Sequence, residues 1–201
     1  MLPAVYAIPV APVIYKEEIK KSRFITYLAH AENRECARQF IIDIKKQHPQ
    51  ARHHCWAYIA GAPDDSSVMG FSDDGEPAGT AGKPILAKLQ GSQLGEIIAV
   101  VVRYYGGILL GTGGLVRAYS HGVQQALSQL TVQQRQPGDI YQLQCDYSLV
   151  NQLEYFITNL QGEIREKQFT QHVLLVVWIP AIAQEIFKQQ LALWQLAIKT
   201  Q

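Results

Sequence analysis

The chain has 201 residues, 48% of them hydrophobic and 17% charged, with a formal net charge of only +1 at pH 7. This length and composition allow one or two domains with buried cores, and the near-neutral charge argues against a protein that coats nucleic acid with its whole surface. Residues 1–136 carry 14 Lys or Arg against 11 Asp or Glu, whereas residues 137–201 carry 4 against 6. A local basic site is therefore expected in the first part of the chain.

The cysteines and the first residues of the chain indicate the cellular compartment of the protein. Cys36, Cys55 and Cys145 are odd in number and widely spaced, which is typical of a reducing environment rather than a disulfide framework. Three prolines interrupt the apolar first fifteen residues, unlike a signal peptide or a membrane span. We therefore expect a cytoplasmic protein without membrane association.

The first half of the chain alternates predicted strands and helices. A polar turn at Lys21 and Ser22 is expected between the first two strands, and Thr80 is expected to cap the second helix. The predicted strands are residues 13–20, 23–29, 52–60 and 97–102, and the predicted helices are residues 31–47 and 81–89.

The third strand, residues 52–60, has an informative alternation. A period of two places His53 and Cys55 on the face expected to be buried, and Arg52, His54, Trp56 and Tyr58 on the other face. Aromatic and basic groups on an open sheet face are what platforms for single-stranded nucleic acid use. The alternative is that the two aromatic side chains simply pack against a covering segment.

Residues 61–82 form a long irregular segment rich in turn residues and in acidic side chains from Asp64 to Glu76. Loops of this length are commonly functional or disordered. The carboxylates suit a magnesium site, yet adjacent aspartates in glycine-rich turns also bond their own backbone and cap the next helix. Without a histidine or cysteine at ligand spacing, we expect no metal here, while the order of the loop stays open.

A buried strand ending at Val102 leads into five glycines and then an amphipathic helix that extends to Leu130. The free amides of such a helix start attract anions. However, Val116 replaces the third glycine of a dinucleotide fingerprint, and Thr112 replaces the lysine of a Walker loop. A nucleotide-hydrolysing P-loop is excluded, whereas a generic anion site and close packing of the helix on its strand both stay open. The glycines are Gly106, Gly107, Gly111, Gly113 and Gly114.

Beyond Leu130 the periodicity is lost, and a linker is predicted over residues 131–139. The remaining residues have the order strand, helix, strand, strand, helix, strand, which is that of a ferredoxin-like domain. Ser148 is expected to cap the first of these helices and Pro180 to open the second. We expect no chemistry from this part of the chain.

Three segments together resemble a known family: ARHHCWAYIAGAP, FSDDGEPAGTAGKPIL and VVRYYGGILLGTGGLVRAY. In this order and spacing they are similar to the IMPACT family, in particular its bacterial YigZ-type members. The resemblance implies an α+β protein of two domains. Residues 1–136 would have the fold of domain 2 of ribosomal protein S-five, shared with elongation factor G, and residues 137–201 would be ferredoxin-like.

The resemblance also implies a function. Eukaryotic relatives regulate translation initiation through protein partners and bind ribosomes, and their extra N-terminal partner-binding domain is not expected here. We therefore expect a non-enzymatic, cytoplasmic protein associated with RNA or the ribosome, without cofactor, metal or catalytic residues. We expect the three segments to bring the residues that contact nucleic acid together around the glycine-rich turn. These residues are Arg52, His54, Lys83, Arg103, Gly113, Gly114 and Arg117.

Two alternatives remain. One is an enzyme acting on a small phosphorylated ligand, with His53 or His54 as base and the SDDGEP segment as its acidic partner. This alternative requires His54 and Asp74 to approach within hydrogen-bonding distance in one cleft. The other is a protein-binding module that uses the ferredoxin-like domain.

Overall fold

The computed structural model describes residues 5–135 and 137–200. Contacts among these residues define two compact units. The first comprises Tyr6–Arg135, and the second, which is smaller, includes residues 137–200. Among the described residues, no helix is both long enough and apolar enough to cross a lipid bilayer.

The first unit consists of seven strands and three helices. The strands are β1 (Tyr6–Pro9), β2 (Val13–Ile19), β3 (Ser22–His30), β4 (His53–Ile59), β5 (Met69–Ser72), β6 (Ile97–Tyr104) and β7 (Val132–Arg135). The helices are α1 (Arg34–Gln47), α2 (Gly82–Gly91) and α3 (Thr112–Ser128). Five strands form one antiparallel sheet in the order β2-β3-β6-β4-β5.

The sheet is covered on both faces. Alternate residues of β3 and β6 pack with α1 on one face, and the intervening residues pack with α2 and α3 on the other. The central strand β6 is buried from Ile97 to Arg103, as its continuous apolar run predicts. Its last residues therefore deliver side chains to the start of α3, which comes after the glycine-rich turn.

The hairpin between β2 and β3 turns at Lys20 and Lys21, one residue earlier than predicted. Ile19 is the register partner of Ser22, so the two lysines between them form a two-residue loop. Both have positive φ, 47° and 61°, as the tight turns that suit the twist of paired strands require. The glycine-rich turn after β6 packs directly on this hairpin.

The predicted linker over residues 131–139 is wrong at residues 132–135, which form β7, and at residues 138 and 139, which already belong to the first strand of the second unit. Strand β7 pairs antiparallel with β1, which the sequence did not predict, from Tyr6 opposite Arg135 to Pro9 opposite Val132. Both strands are short and their pairing joins the two ends of the unit, so no local periodicity indicates it.

A buried carboxylate holds this two-stranded ribbon to the start of β6. Glu96 is 4% exposed and accepts hydrogen bonds from Tyr6 Oη at 2.9 Å, His30 Nε2 at 2.7 Å and Arg135 Nε at 2.9 Å. Burial by itself would raise the pKa of Glu96, but these three hydrogen bonds outweigh it and lower the pKa below its ordinary value. The ribbon is thus fixed by an ionised group.

The second unit has the ferredoxin-like βαββαβ order that the sequence predicts. Its elements are β8 (Gly138–Cys145), α4 (Val150–Asn159), β9 (Glu163–Phe169), β10 (Val173–Pro180), α5 (Gln184–Leu193) and β11 (Ile198–Thr200). The sheet order is β11-β8-β10-β9, and every pair is antiparallel. Tyr141, Leu143 and Phe187 are among the residues buried in its separate core.

The helices of the second unit begin later than predicted, because a short 3-10 turn precedes each one. Ser148 lies inside the turn Tyr147–Leu149 and does not cap α4, and Pro180 precedes the turn Ala181–Ala183. The predicted fold class, α+β with a unit like domain 2 of ribosomal protein S-five followed by a ferredoxin-like unit, is confirmed.

Candidate anion-binding site

A cavity of about 420 Å³ opens between the ends of β4 and β6, the loop before α2 and the first turn of α3. We call it the α3 cavity. Its polar lining comes from all three segments that carry the family resemblance, and apolar side chains complete it. The lining residues are Arg52, His53, Gly75, Glu76, Pro77, Arg103, Tyr105, Leu109, Leu110, Gly111, Thr112 and Leu115.

Strand register explains why two of these side chains meet. His53 and Arg103 are direct partners across the antiparallel pair β4 and β6, and such partners project to the same face of a sheet. That face is the one covered by α2 and α3. The cavity thus receives a guanidinium that is only 5% exposed.

Glu76 holds the buried guanidinium. Its Oε1 accepts a hydrogen bond from Arg103 Nη1 at 2.6 Å and another from Tyr119 Oη at 2.8 Å. Burial, with Cys55 and the charge of Glu76 nearby, raises the pKa of Tyr119 far above its ordinary value. Tyr119 therefore remains a neutral donor, and the carboxylate charge is opposed by Arg103 alone among its hydrogen-bonded partners.

The ring of His53 has a fixed orientation in the cavity. Its Nδ1 lies 2.9 Å from the carbonyl oxygen of Asp74, and because a carbonyl only accepts, Nδ1 is the donor. The other nitrogen, Nε2, lies 3.9 Å from Glu76 Oε1. His53 was left out of the predicted binding residues because its position in the strand alternation indicated a wholly buried side chain.

The start of α3 presents free backbone donors. Gly111, at φ 76°, precedes the helix and provides no side-chain cap, and the first helical bond runs from Leu115 N–H to its carbonyl oxygen. The amides of Thr112, Gly113 and Gly114 have no acceptor among the described residues. Such amides, aligned with the helix dipole, favour an anion.

The glycines of this turn have different roles, and the close-packing interpretation of the cluster applies to Gly106. A Cβ at Gly106 would overlap the backbone carbonyl of Lys21, so Gly106 is needed for close packing on the β2-β3 hairpin. Gly107 and Gly111 have φ of 83° and 76°, which side chains disfavour. A Cβ at Gly113 would meet nothing within 4 Å.

The predicted binding residues are only partly brought together. Arg52 and Arg103 line the α3 cavity, and Gly113 lies in the adjoining helix turn. Gly114 and Arg117 line a second cavity of about 730 Å³ beside it, together with other residues such as Lys20 and Lys88. Lys83 is exposed in the first turn of α2 and lines neither cavity.

His54 lies on the opposite side of the sheet from the α3 cavity, contrary to the predicted grouping. It is 7% exposed, and its Nε2 donates to the carbonyl oxygen of His48 at 3.0 Å. Its backbone N–H donates to Asp74 Oδ2 at 2.7 Å, whereas its ring Nδ1 is 3.6 Å from the same oxygen. The required approach of His54 and Asp74 is therefore a backbone contact outside the cavity, and it does not support the enzyme alternative.

The other aromatic residues of β4 do not form an open platform. Trp56 and Tyr58 stack on each other, with ring centroids 5.6 Å apart and planes 7° apart. Both pack against the core that lies between the sheet and α1. The packing alternative is therefore correct for this face.

The acidic segment is organised as a cap for α2. Asp73 accepts hydrogen bonds from the backbone amides of Gly79, Ala81 and Gly82 at 2.8–3.0 Å. Thr80, predicted to be the cap, instead donates its hydroxyl to the carbonyl oxygen of Pro77. No group of three or more His, Cys, Asp or Glu side chains within residues 5–135 and 137–200 is arranged to hold a metal ion.

Asp73→Asn is expected to lower the free energy of unfolding near neutral pH by about 1–2 kcal/mol, because asparagine has one acceptor oxygen where Asp73 uses two, and it lacks the negative charge that favours the start of a helix. Burial tends to raise the pKa of Asp73, but the amides of Gly79, Gly82 and Ala81 and the charge of Lys83 together lower it below the ordinary 3.8.

A lowered folded-state pKa fixes the sign of the pH dependence. The carboxylate's contribution is fully present above pH 3.8 and is lost as the pH falls through the lower pKa of the folded state. Urea denaturation of wild type and Asp73→Asn across this range should show their difference shrinking in acid. A difference that is independent of pH would contradict this account.

Sequence comparisons place both units among known proteins. The Impact N-terminal domain family matches residues 20–127, and a domain of unknown function, DUF1949, matches residues 143–193. The IMPACT family member YigZ of Escherichia coli is 57% identical over 187 residues, which cover 93% of this chain and 92% of that protein. An IMPACT family member of Haemophilus influenzae is 55% identical over 188 residues, with coverages of 94% and 91%.

A solved structure is similar over nearly the same length. It is described as the crystal structure of a hypothetical protein, is 53% identical, and superposes with a TM-score of 0.75. The match covers 98% of this chain and 97% of that chain. Sequence and structure comparisons therefore agree over both units.

Proposed function

The chain belongs to the IMPACT family, and on that premise we propose that it is a non-enzymatic regulator of translation that binds RNA or the ribosome. The α3 cavity is the proposed contact with phosphate groups. The role belongs to the domain proposed for residues 1–136, and the domain proposed for residues 137–201 would extend the contact or engage a protein partner. A cytoplasmic location is part of the proposal.

The observation that carries the proposal is the convergence of positive charge and free donors on one concave surface. Two guanidinium groups, from Arg52 and Arg103, line the cavity whose edge holds the uncapped start of α3. Among the described lining residues, Glu76 is the one carboxylate, and it is hydrogen-bonded to Arg103. The lining therefore retains a net positive charge, to which the helix dipole adds.

The small number of basic groups in the cavity lining determines how strongly the cavity is expected to bind RNA. Each phosphate contact contributes about one counterion to the salt dependence of binding, and of the two arginines in the lining only Arg52 is exposed. Binding to RNA should therefore be weak, and the logarithm of its affinity should fall with the logarithm of the salt concentration with a shallow slope of about 1–2. A protein of this kind would act on translation through a brief contact rather than by coating its target.

Arg52→Ala is expected to weaken binding to a single-stranded oligoribonucleotide about three- to tenfold at low salt and to reduce the salt slope by about 1. Fluorescence anisotropy titrations at several salt concentrations measure both quantities. Arg38→Ala is the matched control, because Arg38 is exposed on α1, which covers the opposite face of the sheet.

Co-sedimentation with ribosomes is the second measurement. The proposal expects the chain to pellet with ribosomes at low salt and to be released as salt rises. If the wild-type chain neither binds the oligoribonucleotide nor pellets with ribosomes at low salt, the proposal is wrong. A protein partner retained after ribonuclease treatment, in the absence of both signals, would favour the protein-binding alternative instead.

A further inference from the structure

We infer that the α3 cavity recognises a phosphate monoester, the terminal phosphate of an RNA end or of a mononucleotide, rather than the internal phosphodiesters of a strand. This inference deepens the proposed function and rests on it for the site. It concerns the class of ligand that the cavity admits, and it depends on one buried side chain, one helix start and the shape between them.

The buried side chain is Arg103, which has more donors than partners. A guanidinium carries five N–H groups, yet Arg103 makes only one short hydrogen bond to the described residues, from Nη1 to Glu76 Oε1. Its Nη2 is 3.5 Å from Ser22 Oγ, and its Nε is buried with no hydrogen-bond partner in the described part of the chain. Buried donors without acceptors are destabilising. Their presence here indicates a ligand that accepts the missing hydrogen bonds.

The helix start provides a second and separate set of donors. The amide of Thr112, which lines the cavity, and that of Gly113 next to it belong to α3, whereas Arg103 belongs to β6, so the two sets approach from different elements. A phosphate monoester carries three terminal oxygens and up to two negative charges. It can accept from both sets at once, whereas a phosphodiester has only two terminal oxygens and one charge.

The burial of Arg103 distinguishes a chain end from the middle of a strand. A guanidinium that is 5% exposed is reached only by a group that enters the cavity. To hold an internal phosphodiester, the cavity would need room for the RNA strand both to enter and to leave. A terminal phosphate needs room for the RNA strand on one side only. A volume of about 420 Å³ is at the lower end of the range for small-molecule sites and suits a nucleotide-sized group.

The cavity lining offers surfaces for the rest of the ligand. Tyr105 is 42% exposed and Leu109 is 81% exposed, and both line the cavity. Aromatic and apolar faces of this kind stack on or pack against a base or a ribose without sequence preference. Arg52, also in the lining, is exposed and adds a charge that attracts the anion.

The test compares oligoribonucleotides of one sequence that differ only at their ends. Fluorescence anisotropy is measured with 5′-phosphate, 3′-phosphate and hydroxyl-ended forms, and the bound oligonucleotide is competed with adenosine monophosphate and with inorganic phosphate. We expect at least one phosphate-ended form to bind about tenfold more tightly than the hydroxyl-ended form, because the extra charge meets charge-assisted donors. Adenosine monophosphate should remove this preference.

Two substitutions at one position show whether the helix start is responsible. Gly113→Asp places a carboxylate at the start of α3, where it favours the helix but repels a bound anion, and it should abolish the preference for phosphate ends. Gly113→Ala, the matched control, adds only a methyl group in open space and should keep the preference. Thermal denaturation confirms that both variants fold.

Each outcome separates the inference from the proposed function. Equal affinities for phosphate and hydroxyl ends would overturn the inference and leave RNA binding in place. A preference that survives in Gly113→Asp would also overturn it. Binding of adenosine monophosphate with loss in Gly113→Asp, but without RNA or ribosome binding, would support the inference for a free mononucleotide and reject the proposed function.

Discussion

Arg103→Met should lower the free energy of unfolding by about 3–5 kcal/mol, the cost of leaving a buried charge without its partner. Glu76 is 8% exposed, and without Arg103 its carboxylate would keep a hydrogen bond only from Tyr119 among the described residues. Urea denaturation measures the loss directly. The variant should also lose affinity for phosphate, because the buried donors of the α3 cavity are gone.

A second substitution separates the structural role of the pair from binding. Arg103→Met/Glu76→Gln removes both charges, while the amide oxygen of the glutamine still accepts from Tyr119. Because a buried ion pair replaced as a whole is often neutral in stability, most of the lost stability should return, but the phosphate affinity should not. A double variant as unstable as Arg103→Met would show that the unpaired carboxylate is not the cause.

Gly106→Ala is expected to be the most damaging of the glycine substitutions, lowering the free energy of unfolding by about 3 kcal/mol. The added methyl group would overlap the backbone at Lys21 and Ser22, and backbone atoms of a paired hairpin cannot move aside as a flexible side chain does. The turn after β6 would be pushed away from the hairpin, and the start of α3 would move with it.

Gly113→Ala is the matched comparison for Gly106→Ala. Its methyl group has open space, and alanine is favoured over glycine within a helix, so stability should rise by about 0.5 kcal/mol. If close packing decides the outcome, thermal and urea denaturation should show a lower free energy of unfolding for Gly106→Ala and a higher one for Gly113→Ala. Equal stabilities for wild type and Gly106→Ala would show that the hairpin accommodates the methyl group.

Much of the fold was predictable, because its strongest elements have local patterns. The apolar run of β6 indicates a strand covered on both faces, and its burial confirms this. The βαββαβ order of the second unit agrees with its alternating periodicities and turn residues. The pairing of β1 with β7 was not predictable, because it joins Tyr6 to Arg135 across the whole unit and depends on Glu96 from a third segment.

The candidate site, like the fold, was predictable where the signal is local and not predictable where it depends on the tertiary structure. The glycine-rich turn and helix start were recognisable as a candidate anion site, and Arg103 was correctly placed beside them. The choice of His54 over His53 came from assuming that the apolar-facing side of β4 is sealed. Strand alternation identifies the face of a residue, but a cavity within that face arises only where α3 begins.

Glu76 and Asp73 illustrate a further limit. Their segment reads as a run of acidic turn residues, and nothing local distinguishes a metal ligand from a structural acceptor. The role of Glu76 depends on a partner distant in sequence, since Arg103 is 27 residues away, and only the tertiary structure joins the two groups. Asp73 instead caps α2 through nearby amides, as the capping alternative for these aspartates expected.

The ribbon of β1 and β7 makes the two ends of the first unit neighbours. Tyr6 and Arg135 face each other as register partners, about 5 Å apart by the spacing of antiparallel strands. A polypeptide whose ends meet in this way is suited to circular permutation. A short peptide linker could join Tyr6 to Arg135, and the backbone could then be opened in an exposed loop, for example at Asp64. The new termini would lie in that loop.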